Sequence, residues 1–154
     1  MLHKGILISH SMLRWVLLLL LVARLYQSYS GWFGKREWTE TDSKFSLWTM
    51  MTAHIQLVLG LALYFISPFM KAMFSVKPLM KNATARFWVV EHMSMMLIAI
   101  VLITLGHSLP KRADDSLGKH KKAALFLTFG LLAIFAAIPW PFRKNIARNL
   151  FYFF

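Results

Sequence analysis

The chain contains no cysteine, and only 6 of its 154 residues are acidic, against 18 lysines and arginines. Without thiols, disulfides, iron–sulfur clusters and thiolate-ligated haem are excluded. Polar stretches are short, leaving no room for a separate soluble domain beside the apolar blocks. A net charge of +12 would suit nucleic acid, yet the basic residues flank apolar blocks, where Lys and Arg meet lipid headgroups. No basic and aromatic residues interleave on a polar face, so nucleic-acid binding is not expected.

Hydrophobic residues make up 58% of the chain and gather into blocks. A hydrocarbon core about 30 Å thick needs roughly 20 helical residues to cross it. Segments 6–26, 45–66, 87–106 and 122–140 meet that length. They predict an all-α fold, an integral membrane four-helix up-down bundle, as a single domain over 1–154 with both termini on one side, here side A. The connections 28–44 and 107–121 then lie on side B, and Thr41-Asp42-Ser43 reads as a helix start. Segments 68–82 and 142–154, apolar on a basic background, suit the membrane surface, for lipid or another subunit. Pro139-Trp140-Pro141 ends the fourth helix. Lys4 before an apolar stretch imitates a signal peptide, but His10 and Arg14 interrupt that stretch and Val22-Ala23-Arg24-Leu25 offers no small-residue cleavage site, so the segment is expected to be retained. Lys and Arg divide almost evenly between the two sides and indicate no orientation.

Within these blocks stand His10, Arg14, His54, Glu91 and His92. An ionisable residue inside a helical span costs roughly 2.5–3.5 kcal/mol on insertion scales, so each asks for a partner or a purpose. Arg14 and Glu91 fall at one depth and are expected to pair, tying the first helix to the third. A further role for Arg14 is to face a haem propionate or a quinone. His10, His92 and His54 fall at similar depths in the side-A half, within a band of roughly 10 Å by helical rise. A b-type haem takes two neutral imidazoles from facing helices. Either His10 with His92 or His54 with His92 meets that requirement, and His92 is common to both. A second haem would draw on His107 and His120 near side B, where both meet water. Met50, Met51, Met93, Met95 and Met96 beside His54 and His92 offer the soft thioethers that Cu(I) prefers, though methionine also fills gaps between helices. Gly60, Ala62, Ala99 and Gly106 read as close helix contacts.

The strings His10-Ser11 with Arg14-Trp15, Ala53-His54-Ile55-Gln56 with Gly60, Phe87-Trp88 before Glu91-His92, Lys119-His120-Lys121 and Ile138-Pro139-Trp140-Pro141-Phe142 span nearly the whole chain. Together they resemble small four-helix bacterial membrane proteins labelled cytochrome b or cytochrome b-like. The resemblance implies that His10, His54, His92 and His120 contact haem b, and that the protein lies in a bacterial inner membrane. In an up-down bundle His10–His92 and His54–His120 would be the two diagonal pairs. The second pair differs in depth by roughly 10–14 Å, so one haem is expected and a second left open. The expected function is to pass electrons between quinone and a partner, or to serve as a haem-bearing subunit of a respiratory or other membrane complex. Such a protein is an electron carrier more than a self-contained enzyme. The alternatives are a cofactor-free accessory subunit and a copper-handling membrane protein.

Overall fold

The computed structural model describes residues 2–147. Its elements in chain order are α1 (Leu2–Phe33), α2 (Glu40–Ile66), a short α3 (Pro68–Ser75), a single turn α4 (Ala83–Arg86), α5 (His92–Ser108) and α6 (Ser116–Ala137). A π turn at Phe87–Glu91 fuses α4 to α5, and a 3₁₀ turn at Pro110–Arg112 follows. Four helical runs are long and apolar enough to cross a membrane: Leu2–Phe33, Glu40–Ile66, Ala83–Arg112 and Ser116–Ala137. The protein is an all-α four-helix bundle of the lipid bilayer, with the start of α1 and the end of α6 on side A. α1 packs against α2 and α6, and α5 against α6 and α2, which puts α1 across the bundle from α5.

The outer face would be untenable in water. Leu19, Val58, Phe65 and Phe129 are 72%, 64%, 70% and 59% exposed, a ring of apolar surface that lipid covers. Inside, Leu17, Leu21, Ile103, Leu127 and Ile134 form the core, with Ala53, Ala99 and Ala123 where helices approach closely. Gly106 fits this pattern, since a Cβ there would come within 3.0 Å of Leu127.

The helices run beyond the apolar blocks because the headgroup region tolerates polar residues on a helix. α2 begins earlier than the Thr41-Asp42-Ser43 signal suggests. Its cap is Thr39, whose hydroxyl accepts from the Asp42 amide while the Asp42 carboxylate accepts from the Thr39 amide. Asp115 accepts from the Gly118 amide and starts α6 at Ser116, so His120 sits inside a helix rather than at its wet end. Segment 68–82 does not merely lie on lipid. Phe69 meets Trp88 edge-on, ring centroids 5.4 Å apart, and Met70 is buried, so α3 folds back onto the bundle. Of segment 142–154, residues 148–154 lie outside the described residues. Arg143 in the described part donates to the Ala136 carbonyl at 2.8 Å.

Candidate functional site

The side-A half holds a partly open cavity of about 200 Å³ between the four spans, lined by His10, Arg14, Gln56, Gly60, His92 and Met96 among apolar neighbours. His10 and His92 line it from α1 and α5, the diagonal helices.

His92 is held by a device written in the prolines. In an uninterrupted helix the Phe135 carbonyl would bond the amide of residue 139 and the Ala137 carbonyl that of residue 141. Both positions are proline, which has no amide hydrogen. Side chains take the two freed acceptors: Trp140 Nε1 donates to the Phe135 oxygen at 2.9 Å, and His92 Nδ1 to the Ala137 oxygen at 2.8 Å. Because a carbonyl only accepts, Nδ1 carries the proton and Nε2 keeps its lone pair. The ring is boxed by Trp88 and Phe87, with centroids 5.6 and 6.0 Å away.

The π turn just before His92 sets its position. The His92 amide reaches back five residues to the Phe87 carbonyl, and Tyr64 of α2 donates its hydroxyl to the Val89 oxygen at 2.9 Å. Such a turn stacks residues five apart. This is why Glu91 pairs with Arg86, Nε to Oε1 at 2.6 Å, and not with Arg14 as equal depth suggested. Arg14 lines the cavity instead, its guanidinium carbon 5.3 Å from the Trp15 ring centroid.

His10 is positioned from α2. Gln56 donates Nε2 to the His10 carbonyl at 2.9 Å, and Gly60 leaves room for the ring, since a Cβ there would stand 3.1 Å from His10 Cε1. His10 Nδ1 is buried and has no hydrogen-bond partner among the described residues.

His54 does not join them. The inward face of α2 carries Ala53, Gln56, Gly60 and Leu63, and one residue onward from Ala53 turns His54 outward. It is exposed, and Nδ1 bonds the Met50 carbonyl of its own helix at 2.9 Å. The His54–His92 and His54–His120 pairings are therefore not brought together. Met93 and Met96 line the cavity, whereas Met50 and Met51 lie with His54 away from it.

His120 is fully buried near side B, far from the solvated position expected for it. Its ring lies 5.0 Å from Trp38, and a Cβ at Gly31 of α1 would collide with it. The ring faces the Glu37 backbone, but neither nitrogen makes a well-formed hydrogen bond among the described residues. His107 is buried too, with Nδ1 3.0 Å from Ser46 Oγ.

Around Trp38 lies a polar cluster that sequence reasoning missed. Arg24, counted there as a flanking cation, is 0% exposed, with its guanidinium carbon 4.7 Å from the Trp38 ring centroid. Asp42 is 1% exposed and grips Arg36 through two 2.8 Å hydrogen bonds. Those bonds hold the Arg36 guanidinium above its ordinary pKa, against the opposing effect of burial. A second arginine inside the nominal first span, beside Arg14, was the available signal.

Compared with known protein families, with curated proteins and with solved structures, the chain shows no significant match to any.

Proposed function

We propose that the chain is a b-type haem protein of the membrane, with His10 and His92 as axial ligands. The observation that carries this reading is a pair of imidazoles entering one apolar cavity from diagonal helices, His92 with Nδ1 tied to a carbonyl and Nε2 left as donor. A ligand imidazole characteristically gives its other nitrogen to a carbonyl, which fixes the ring and raises its basicity. The donor set suits haem iron. Gly60 beside His10 and the unpartnered His10 Nδ1 fit a ring that must approach a planar group closely.

When bound, haem would supply one-electron transfer. Arg14 lines the same cavity, where a propionate would meet a guanidinium, and Trp88 and Phe87 keep water from His92. The cavity of about 200 Å³ lies below the roughly 300–1,000 Å³ usual for small-molecule sites. Side chains must therefore move aside, and Met93 and Met96 can do so by rotating about three bonds each. We place the electron partners in the membrane, as a quinone or a subunit of a larger complex, in a bacterial inner membrane.

A second reading, copper handling, is favoured by Met93 and Met96 facing the same cavity as His92. One experiment separates the two. Protein purified from its native membrane is examined by reduced-minus-oxidised absorption, haem is counted in a pyridine extract, and metals are measured. Sharp reduced bands with haem that disappears in His92→Ala support the haem reading. Copper without iron favours the second, and a colourless, metal-free sample leaves an accessory subunit.

A further inference from the structure

The side-B end holds a second cavity, of about 130 Å³, lined by Trp38, Ser43, Ser46, His107, Lys111 and Lys119. We propose that it binds a phosphate-type oxyanion at the membrane surface. The site is separate from the His10–His92 cavity and does not depend on the haem reading.

The lining supplies donors: two ammonium groups and an imidazole, the Ser43 and Ser46 hydroxyls being spent on the Thr39 carbonyl and His107 Nδ1. Ser46 occupies His107 Nδ1, and with the serine donating that bond, Nε2 carries the hydrogen. No protein group takes that hydrogen among the hydrogen bonds of the described residues. The neighbouring carboxylates are already engaged. Asp42 accepts from Arg36 twice, from the Thr39 amide at 3.0 Å and from the Thr39 hydroxyl at 2.8 Å. Glu37 accepts from Ser116 at 2.7 Å, and Asp115 is spent on the Gly118 amide. A cation would find no free carboxylate in this lining, whereas an anion finds several donors.

Behind the cavity stands Arg24. Its nearest approach to a carboxylate is 3.7 Å, to Asp42, and none of its guanidinium nitrogens has a hydrogen-bond partner among the described residues. A buried, half-compensated guanidinium has little solvent to screen it, so it adds attraction for an anion in the cavity in front of it. The volume suits a headgroup-sized anion rather than a drug-sized ligand. Basic pockets between spans at the membrane surface are known to take anionic lipid headgroups. The same chemistry would take a soluble phosphate.

The full chain, purified in detergent, is titrated calorimetrically with inorganic phosphate, and in nanodiscs its retention of phosphatidylglycerol over phosphatidylcholine is measured by native mass spectrometry. Both are repeated with Lys111→Gln/Lys119→Gln and with a control of equal charge loss outside the cavity, Lys35→Asn/Lys44→Gln. These exposed or half-buried lysines avoid the folding risk of replacing Arg24 or His107. At about fivefold per lysine, the cavity variant should weaken binding about 30-fold while the control changes it little. Loss of inorganic phosphate binding identifies a soluble ligand, and loss of phosphatidylglycerol retention alone identifies the lipid. Equal losses in the two variants, or binding of neither probe by the wild type, overturns the proposal.

Discussion

Asp42→Leu should be among the most damaging single substitutions in this protein, and adding Arg24→Leu should repair much of the damage. Asp42 is 1% exposed and serves two structures at once: it closes the capping box of α2 and faces the fully buried Arg24 at 3.7 Å. Losing the carboxylate half of the capping box costs up to about 1 kcal/mol, since the Thr39 hydroxyl keeps the residue-42 amide. Stranding a buried charge costs about 3–5 kcal/mol, and the low end applies because Arg24 makes an ion pair but no hydrogen bond. Arg36 adds little to the loss, since its side chain is 40% exposed and can turn to water. The single variant should thus lose about 4 kcal/mol, while Asp42→Leu/Arg24→Leu, with no charge left to strand, should lose nearer 1–2 kcal/mol. Reversible unfolding in mixed micelles would read the difference as roughly 30-fold or more in the unfolding constant. If the double variant were as unstable as the single one or worse, Arg24 would owe its tolerance to something other than Asp42, and the electrostatic account of side B would fail.

Other substitutions test separate parts of the structure. His54→Ala should leave haem content and the reduced spectrum unchanged while His10→Ala abolishes both, and the reverse result in haem extracts would move the axial ligand to α2. Gly31→Ala should destabilise by about 1–3 kcal/mol through overpacking on His120, and His120→Ala in the same chain should relieve it; additive losses in thermal unfolding would place the clash elsewhere. Glu91→Gln should cost less than about 1 kcal/mol, because its ion pair with Arg86 is half exposed, with side chains 41% and 39% accessible. A large loss on unfolding would mean that Glu91 is carrying a buried charge after all.

The bundle was legible in the sequence because span length and hydropathy depend on a local run of residues, and each run is long enough to read. So was the placing of His10 and His92 on one cavity, since similar depth on diagonal helices is a matter of counting residues. Azimuth was less legible. His54 has the right depth and the wrong face, and a hundred degrees of rotation, one residue on a helix, separates the two. Glu91 went to Arg86 because the π turn changes the count locally, and nothing in an apolar string announces such a turn. The Pro139-Trp140-Pro141 string was read as a stop alone. Counting four residues back from each proline would have found the Phe135 and Ala137 carbonyls that Trp140 and His92 occupy.

The hydroxyls that lock these helices together complete their bonds: Tyr29 with Thr128 at 2.8 Å and Tyr64 with the Val89 carbonyl. A histidine kept only to join helices should do the same, since an unmet polar group in hydrocarbon has no water to turn to. His10 Nδ1 does not, and the cavity is what distinguishes it from the equally unbonded His120. His120 is packed against Trp38 and the face of Gly31, where nothing larger than its own ring fits. His10 instead borders open volume opposite a second imidazole whose tautomer is already set. An accessory subunit gains nothing from holding that volume open, whereas a ligand site requires it, and the choice between the two readings rests on that difference.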